Sequence, residues 1–372
     1  MTRPNAKTTP PPSGTATLEE LRLGINAVDA RLVALLNERA TLSKAVGEVK
    51  RASPDSEVFH PGREAQVLHG LAAANPGPLP EEDLKAIYRQ ILSSSRKMQH
   101  ALDVAYLGPE GTFSHLAARS LLGELTTFHP KADLSLVFSA VENNECDLGV
   151  VPLENSLQGS VAQTLDLFMR HKVFIKAESS FPIRHCLLSR ASSLSDVRKV
   201  YSHPQPLAQC GIWLKGHLPQ APVVPLESTA AAAGRAFEEE GAAAVAHCDL
   251  ADSLGLHTLA KNIEDLPGNR TRFVIIGRTP ADRPGPDRTS LLFTVADKPG
   301  SLLAVLRCFA GRGINMRKLE SRPMPGESWK YVFFADLECD IYDDAHAGVL
   351  DEAAVHCLEM RVLGSYPSAF SR

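Results

Sequence analysis

The chain has 372 residues with 39 Lys+Arg, 43 Asp+Glu and 44% hydrophobic residues, which excludes a single small binding module and allows two or three globular domains. A formal net charge of -4 provides no overall basic field for nucleic acid or anionic lipid, so the expected partners are small molecules. The seven cysteines are never spaced as Cys-x-x-Cys, which argues against a disulfide framework or zinc ribbon and favours reduced thiols in the cytoplasm.

Residues 1–16 are predicted to be a disordered leader. They contain Pro10-Pro11-Pro12-Ser13-Gly14, a composition typical of unstructured segments, and they lack the apolar core of a signal peptide. No apolar run in the chain approaches the ~20 residues that span a bilayer. A cytoplasmic location with no membrane partner is therefore expected.

A long helix is predicted from Thr17 to about Arg51. A capping box, Thr17-Leu18-Glu19-Glu20, begins it, and apolar residues follow at 18, 21, 25, 28, 32, 35, 42, 46 and 49 in a heptad stripe. Further helices are predicted from Pro61 to Ala74 and from Pro80 to about Leu102. Because one domain cannot bury a helix of ~50 Å alone, the helical domain, residues 17–103, is expected to form an intertwined dimer.

The hydrophobic period changes at Val104. Short apolar strands alternate with amphipathic helices from there to residue 279, which predicts an α/β domain, expected to be two-lobed. A Pro-rich linker, residues 280–288, follows by composition. Residues 289–372 carry the element order βαββαβ, which predicts a ferredoxin-like domain.

Polar residues interrupt the helical seam of the first domain. Arg39 occupies a stripe position that calls for an apolar side chain, and its burial would need a counter-anion. An internal ion pair with Glu38 or Glu48 is one explanation. Further polar residues are placed near the same seam, namely Arg22, Lys50, Arg63, Ser95 and Gln99. A pocket for a small dicarboxylate explains the whole set more economically.

These spacings resemble the all-helical chorismate mutase domain over residues 18–102. The resemblance implies rearrangement of chorismate to prephenate without a cofactor or metal. Arg22, Arg39 and Arg63 would hold carboxylates, with Arg22 supplied by the partner chain. Lys50 and Gln99 would act as catalytic donors to the ether oxygen, while Glu64 would meet the ring hydroxyl and Ser95 would complete the pocket. His60 and Gly62 depart from the pattern usual beside the Arg-Glu pair.

Residues 104–278 resemble prephenate dehydratase through seven motifs in order. They are Gly108-Pro109-Glu110-Gly111-Thr112-Phe113-Ser114, Val151-Pro152-Leu153-Glu154-Asn155-Ser156, Thr164-Leu165-Asp166-Leu167, Ser202-His203-Pro204-Gln205, Gln209-Cys210, Glu227-Ser228-Thr229 and Asn269-Arg270-Thr271-Arg272-Phe273. Several lie where a strand ends and a helix begins, so backbone N–H groups and hydroxyls would converge on an anion.

The dehydratase resemblance implies loss of CO2 and hydroxide from prephenate to give phenylpyruvate, with Thr271 as the proton donor. The other residues that it assigns to prephenate binding are Thr112, Glu154, Asn155, Ser202, Gln209, Glu227 and Arg272. Helix capping is an alternative for Glu154 and Asn155. Arg272 alternates to the strand face opposite Thr271, so a structural role is the alternative there.

Residues 289–366 resemble an ACT regulatory domain that senses phenylalanine, through Asp297-Lys298-Pro299-Gly300-Ser301-Leu302-Leu303, Gly313-Ile314-Asn315 and Glu320-Ser321-Arg322-Pro323. The implied effector residues are Gly300, Ser301, Leu302, Asn315, Glu320 and Ser321. A dimerisation module without a ligand is the alternative, and both interpretations predict a homodimer or larger oligomer.

The combined expectation is a bifunctional chorismate mutase/prephenate dehydratase inhibited by phenylalanine. Two alternatives remain open from the sequence. In the first, the helical domain of a dehydratase only dimerises the chain. In the second, a two-lobed binding domain and the ACT domain form an amino-acid sensor that is not an enzyme.

Overall fold

The computed structural model describes residues 17–51, 59–282, 287–324, 326 and 330–368. The chain divides into two compact units. One comprises Met1–Glu57 with Met98–His100, and the other comprises Val58–Lys97 with Ala101–Arg372. The predicted leader, residues 1–16, and residues 283–286 of the predicted linker lie outside the described residues.

The first unit is dominated by one long helix, α1 (Leu18–Arg51), as the heptad pattern predicts. The capping box forms, because Glu20 accepts a hydrogen bond from the Thr17 backbone N–H at 2.8 Å and Thr17 Oγ1 accepts from Glu20 N–H at 3.3 Å. The apolar stripe is exposed along its length, with Leu18 65%, Leu32 50% and Val49 73% exposed. An exposed apolar stripe of this length is typical of a surface that is buried against another protein surface.

The second unit begins with the two other predicted helices, α2 (Pro61–Ala74) and α3 (Glu81–Gln99). The last two residues of α3, Met98 and Gln99, belong to the first unit. Buried Arg96 of α3 forms an ion pair with Glu64 of α2 and donates to the carbonyl of Leu122. The Asp282 carboxylate accepts from the backbone N–H groups of Gly62 at 3.2 Å and Arg63 at 3.3 Å. It therefore caps the N-terminus of α2 from a position 219 residues away.

The α/β domain has two lobes. Lobe 1 is a six-stranded sheet of order β2-β1-β3-β11-β5, with β4 paired to β3, and it includes three helices. Its elements are β1 (Asp103–Leu107), α4 (Phe113–Leu122), β2 (Thr127–Lys131), α5 (Leu134–Glu142), β3 (Leu148–Asn155), β4 (Gly159–Ser160), α6 (Ala162–Arg170), β5 (Phe174–Pro182) and β11 (Arg270–Gly277). The β1 strand is parallel to β2 and β3, whereas β11 is antiparallel to β3 and β5.

Lobe 2 is a five-stranded sheet of order β10-β6-β9-β7-β8 with helices that connect its strands. Its elements are β6 (Cys186–Ser189), β7 (Lys199–Ser202), α7 (Pro204–Gln209), α8 (Gly211–His217), β8 (Val223–Pro225), α9 (Thr229–Glu238), β9 (Ala242–Ala246), α10 (Asp249–Leu254) and β10 (His257–Lys261). The all-apolar β9 is buried at every position, as expected for a central strand covered on both faces.

The last domain has the predicted βαββαβ order and forms a four-stranded sheet, β13-β14-β12-β15. Its elements are β12 (Arg288–Thr294), α11 (Ser301–Gly311), β13 (Met316–Pro323), β14 (Tyr331–Leu337), α12 (Val349–Ala354) and β15 (Glu359–Tyr366). This order confirms the ferredoxin-like prediction.

The last domain and lobe 1 share one hydrophobic core. Leu292, Phe334 and Leu363 of the last domain cluster with Phe168 and Ile175 of lobe 1. A Cβ added to Gly364 would lie 2.1 Å from the Ile175 carbonyl oxygen, so β15 approaches β5 as closely as only glycine permits. The two domains therefore pack as one body of apolar side chains.

The cysteine expectation is wrong at two positions. Cys186, at the start of β6, and Cys248, before α10, form a disulfide with a Cα–Cα distance of 5.4 Å, while Cys146, Cys210, Cys308, Cys339 and Cys357 are free. The two residues are 62 positions apart in the chain, and only the pairing of β6 with β9 brings them together. Among the described residues, no helix is both long and apolar enough to cross a membrane.

Candidate active sites

A cavity of about 520 Å³ lies in the α/β domain and draws its walls from both lobes. Five of the residues assigned to prephenate by resemblance line it, namely Thr112, Asn155, Gln209, Glu227 and Thr271. The described residues that line the cavity include no Lys or Arg. An anion in this cavity would therefore be held by hydroxyls, amides and backbone N–H groups rather than by fixed cations.

Helix N-termini supply those backbone groups. The cavity wall includes Thr112, which caps α4, Val161, which precedes α6, and Ser228, which caps α9. Thr112 Oγ1 accepts from His115 N–H at 3.4 Å, and Ser228 Oγ accepts from Ala231 N–H at 3.0 Å. The positive ends of three helices thus face the same space, in agreement with the expected anion site.

Strand register brings Thr271 and Asn155 together. The β11 strand pairs with β3 so that Thr271 lies opposite Asn155. Backbone N–H groups of Leu157 and Gln158 donate to Asn155 Oδ1 at 3.0 and 3.2 Å, which leaves Asn155 Nδ2 as the donor. That amide donates to Thr271 Oγ1 at 3.0 Å. Within the described residues, the Thr271 hydroxyl proton has no acceptor, so it is available to a bound molecule.

A chain of amides continues from this pair into lobe 2. Asn155 Nδ2 donates to Asn269 Oδ1 at 2.8 Å, and Asn269 Nδ2 donates to Gln209 Oε1 at 3.2 Å. The same Gln209 oxygen accepts from His185 Nε2 at 2.8 Å. His185 lines the cavity but carries no motif signal in the sequence, and its place in the site follows only from the fold.

Three residues assigned to prephenate by resemblance lie away from this cavity. Ser202 is buried and donates to the Val245 carbonyl at 2.6 Å. Glu154 and Arg272 line a separate cavity of about 280 Å³ between lobe 1 and the last domain. The alternation of strand residues is the reason, since Asn155 and Thr271 face one side of the sheet and their neighbours face the other.

Arg272 is the centre of a buried ion network at that second cavity. Its Nε donates to Glu178 at 2.6 Å, its Nη1 donates to Asp336, and its Nη2 donates to the Tyr366 hydroxyl at 3.0 Å. Burial acts to lower the pKa of Arg272, but its electrostatic interactions with Tyr366, Asp336 and Glu178 outweigh burial and raise that pKa. The structural alternative for Arg272 fits this placement, and the proposed prephenate site omits it.

The effector motif on β13 is divided between two faces. Its strand alternates half-buried and exposed residues, so Lys318, Glu320 and Arg322 face lobe 1 whereas Ser321 is exposed. Glu320 accepts from Ser160 Oγ, which also accepts from Lys318 Nζ at 2.5 Å. Because Ser160 lines the 520 Å³ cavity, the effector motif touches the wall of the candidate active site.

The other effector residues lie at the start of α11 and before β13. Gly300 adopts a left-handed backbone conformation, with φ of 87°, directly before Ser301 and Leu302. Asn315 is exposed, and its amide donates to Glu338 at 2.7 Å. The positions of these residues do not test the effector assignment, which stays a prediction.

The residues predicted to bind chorismate divide between the two compact units. Arg22, Arg39, Lys50 and Gln99 belong to the first unit, and Arg63, Glu64 and Ser95 to the second. Within the first unit, Gln99 packs on Gly47 of α1, where an added Cβ would lie 3.1 Å from Gln99 Cγ. The buried Gln99 Oε1 has no hydrogen-bond partner among the described residues. Within the second unit, Ser95 Oγ donates to the Ile91 carbonyl at 2.8 Å.

The α/β domain has two lobes, with helix N-termini around a shared cavity. Together with a helical N-terminal segment and a ferredoxin-like C-terminal domain, it defines a multidomain enzyme that acts on a small anion. Family models agree: chorismate mutase type II matches residues 21–100, prephenate dehydratase matches 104–281 and the ACT domain matches 289–350.

Curated relatives match the chain over 95% of its length. A bifunctional chorismate mutase/prephenate dehydratase from Aquifex aeolicus is 41% identical over 356 residues, covering 95% of this chain and 98% of that protein. One from Stutzerimonas stutzeri is 40% identical over 357 residues, with the same coverage. A crystal structure of prephenate dehydratase from Arthrobacter aurescens in complex with L-Phe matches with a TM-score of 0.67 and 33% identity, covering 73% of this chain and 92% of that one.

The chain belongs to the bifunctional chorismate mutase/prephenate dehydratase family. It is an enzyme of phenylalanine biosynthesis with both activities. This conclusion confirms the two activities expected from the sequence and removes the two alternatives, a dehydratase with an inactive helical domain and a sensor without catalysis.

Proposed function

We propose that phenylalanine inhibits this bifunctional enzyme through the ACT domain, and that Thr271 is the proton donor of the dehydratase. The observation that carries the catalytic part is the Asn155–Thr271 hydrogen bond of 3.0 Å. Because Thr271 Oγ1 accepts from an amide, its own O–H is oriented away from Asn155 and becomes a better donor. The Thr271 side chain itself is buried, with an exposed fraction of 8%.

In the dehydratase step, the bond from the ring to its carboxylate breaks and CO2 leaves. The electron pair of that bond completes the aromatic ring as the bond between the ring carbon and its hydroxyl breaks. Thr271 gives its proton to the departing oxygen, which leaves as water, and Thr271 regains a proton from solvent. A positioned donor is needed because hydroxide is a poor leaving group at neutral pH.

Among the described residues, none that lines the cavity is a Lys or Arg, and this suits the chemistry. A Lys or Arg paired with the ring carboxylate would stabilise the ionised ground state more than the transition state, in which that charge moves into the ring. Helix N-termini at Thr112 and Ser228, with the amide of Gln209, would hold the side-chain carboxylate with partial charges. Glu227 lies in the same wall, where it would orient the ring hydroxyl by accepting its proton in a hydrogen bond.

For the mutase step, we propose that Arg22, Arg39 and Arg63 hold the carboxylates of chorismate and that Lys50 and Gln99 donate to its ether oxygen. Glu64 would meet the ring hydroxyl, and Ser95 would complete the pocket. Stabilising charge on the breaking ether bond needs no cofactor. Support for a ligand beside Gln99 comes from its buried Oε1 atom, which has no hydrogen-bond partner among the described residues. Arg96 holds the Glu64 carboxylate in place for its role.

We also propose that the chain is a cytoplasmic homodimer in which α1 is paired with the α1 of a second copy. The heptad stripe on α1 is exposed, at 50% for Leu32 and 63% for Leu42, and a second copy carries a matching stripe. The phenylalanine effector would bind Gly300, Ser301, Leu302, Asn315, Glu320 and Ser321. Support for phenylalanine comes from the ACT domain and from the L-Phe complex of the Arthrobacter aurescens protein.

One assay tests these proposals together. Purified protein is given chorismate or prephenate, and prephenate and phenylpyruvate are followed with and without millimolar phenylalanine. We expect Thr271→Val to lose dehydratase kcat by about 100-fold or more, since a general acid contributes about 10²–10⁴. The mutase activity of the same preparation is the control. Normal prephenate turnover by the valine variant would refute the role of Thr271. If phenylalanine changed neither the activities nor the thermal stability, the regulatory role would be refuted.

A further inference from the structure

His185 is a fully buried histidine in the cavity wall, and the catalytic step described above does not use it. Its exposed fraction is 0%, and the ring of Phe113 packs edge-on against it with centroids 5.5 Å apart. Desolvation by burial lowers the pKa of His185, so the imidazole is neutral at neutral pH. A neutral imidazole has one N–H donor and one acceptor nitrogen, and the surrounding amides decide which is which.

The hydrogen-bond chain fixes the orientation of each member. Backbone N–H groups fix the oxygen of Asn155, so its nitrogen donates to Asn269 Oδ1. Asn269 Nδ2 must then donate to Gln209 Oε1, at 3.2 Å. Because Gln209 Oε1 is an acceptor, His185 Nε2, at 2.8 Å, carries the hydrogen. His185 and Asn269 therefore hold the same oxygen from two directions.

This arrangement leaves one donor of Gln209 for a ligand. Gln209 Nε2 and His185 Nδ1 are both buried and have no hydrogen-bond partner among the described residues. A buried amide nitrogen without a partner is costly, and both residues line the cavity. Prephenate offers acceptors in its two carboxylates and its keto oxygen, and each can accept from Gln209 Nε2.

We propose that His185 is a positioning residue of the dehydratase, which holds Gln209 so that its amide N–H is presented to an oxygen of prephenate. The proposal rests on the dehydratase site assigned above. It differs from a purely structural role because His185 acts through Gln209. Its replacement should affect catalysis only while Gln209 is present.

A double-mutant cycle separates these roles. His185→Leu removes the Nε2 donor at similar volume, Gln209→Met removes the ligand donor, and the double variant carries both. Dehydratase kcat/KM is measured for each with the full chain, and mutase activity and the thermal midpoint are measured on the same samples. We expect His185→Leu to lower kcat/KM about tenfold alone, the effect of one hydrogen bond, and less than about twofold beside Gln209→Met.

A conservative variant and a matched control complete the test. His185→Gln places an amide nitrogen near the position of imidazole Nε2, so kcat/KM should recover to within about threefold of the wild type. His257→Leu makes the same change at an exposed histidine of lobe 2 and should leave kcat/KM unchanged. If His185→Leu does not fold, His185→Asn, whose amide is too short to reach Gln209, takes its place in the cycle.

The outcomes are distinct. Equal losses from the His185 change in both Gln209 backgrounds, or a thermal shift with unchanged kcat/KM per folded protein, would overturn the positioning role. Failure of the underlying dehydratase assignment would appear differently, as wild-type protein that does not convert prephenate.

Discussion

Replacing Arg272 by Met should destabilise the protein far more than it disturbs prephenate binding. Arg272 is 5% exposed and is held by the carboxylates of Glu178 and Asp336. Its removal leaves Asp336, which is 6% exposed, with Ser290 as a hydrogen-bond donor, while Glu178 keeps Arg288 at 2.9 Å. Removing one partner of a buried ion pair costs about 3–5 kcal/mol, because the remaining charge is desolvated without compensation.

A loss of stability of this size can be measured as a fall in the thermal midpoint, Tm. Unfolding of a domain pair of this size has a large entropy, so about 3–5 kcal/mol corresponds to a fall in Tm of roughly 6–12 °C. Differential scanning calorimetry of the full chain measures the fall, and steady-state dehydratase kinetics give KM for prephenate. The second change, Asp336→Asn, removes the unpaired carboxylate. The double variant should therefore recover part of the lost Tm.

The opposite pattern would refute this reasoning. If Arg272→Met raised KM for prephenate tenfold or more and left Tm unchanged, Arg272 would bind substrate as the family resemblance implied. A further decrease in Tm on adding Asp336→Asn would show that the orphaned carboxylate is not the source of the cost.

Three further outcomes are expected. Burial lowers the pKa of His115, His185 and His247, so the folded protein keeps its full stability above the unfolded pKa near 6.5 and loses stability as the pH falls below that value. The free energy of unfolding should drop by up to about 1.4 kcal/mol per pH unit for each histidine. A free energy that stays constant from pH 7 to 5 in urea titrations would contradict this. A thiol titration of denatured protein should give five free thiols without reductant and seven after reduction. Reduction should lower the free energy of unfolding by up to about 4 kcal/mol, because the disulfide closes a loop of 62 residues. Seven thiols without reductant would exclude the Cys186–Cys248 bond. Lys318→Met should keep dehydratase turnover and weaken phenylalanine inhibition about fivefold or more. The control Arg312→Met, which breaks an ion pair with Glu352 in the same domain, should leave the inhibition unchanged. Equal inhibition in both variants would argue against coupling through β13.

The sequence predicts the local elements of this protein well. The bounds of α2 agree with the prediction, and α1 ends at Arg51, the residue at which the sequence predicts its end. The heptad period, the capping box and the proline that follows in the sequence are all local signals. The βαββαβ order of the last domain is read in the same way. These features depend on residues within a few positions of each other, which a single sequence contains in full.

Other features depend on residues that are distant in the chain. Asp282 caps α2, Arg96 contacts the Leu122 carbonyl, and Cys186 bonds Cys248, yet no local pattern marks any of these pairs. His185 is similar, since a single buried histidine at a strand start is an ordinary core residue until the fold places Gln209 beside it. The family motifs identified Asn155, Gln209 and Thr271, but the hydrogen bonds that link these three residues through Asn269 follow only from the fold.

The period of two along a strand explains why Glu154 and Arg272 line a different cavity from Asn155 and Thr271. The same period decides which residues of β13 face lobe 1. Glu154 and Asn155 are neighbours on β3, and the pleat sends them to opposite sides. Asn155 donates to Thr271 in the catalytic cavity, while Glu154 lies 3.1 Å from Lys318 of the ACT domain. On β13 the same alternation directs Lys318 and Glu320 to Ser160 and exposes Ser321. A shift of β13 on effector binding would therefore act directly on β3 and β4, the two strands that carry Asn155 and Ser160 into the cavity.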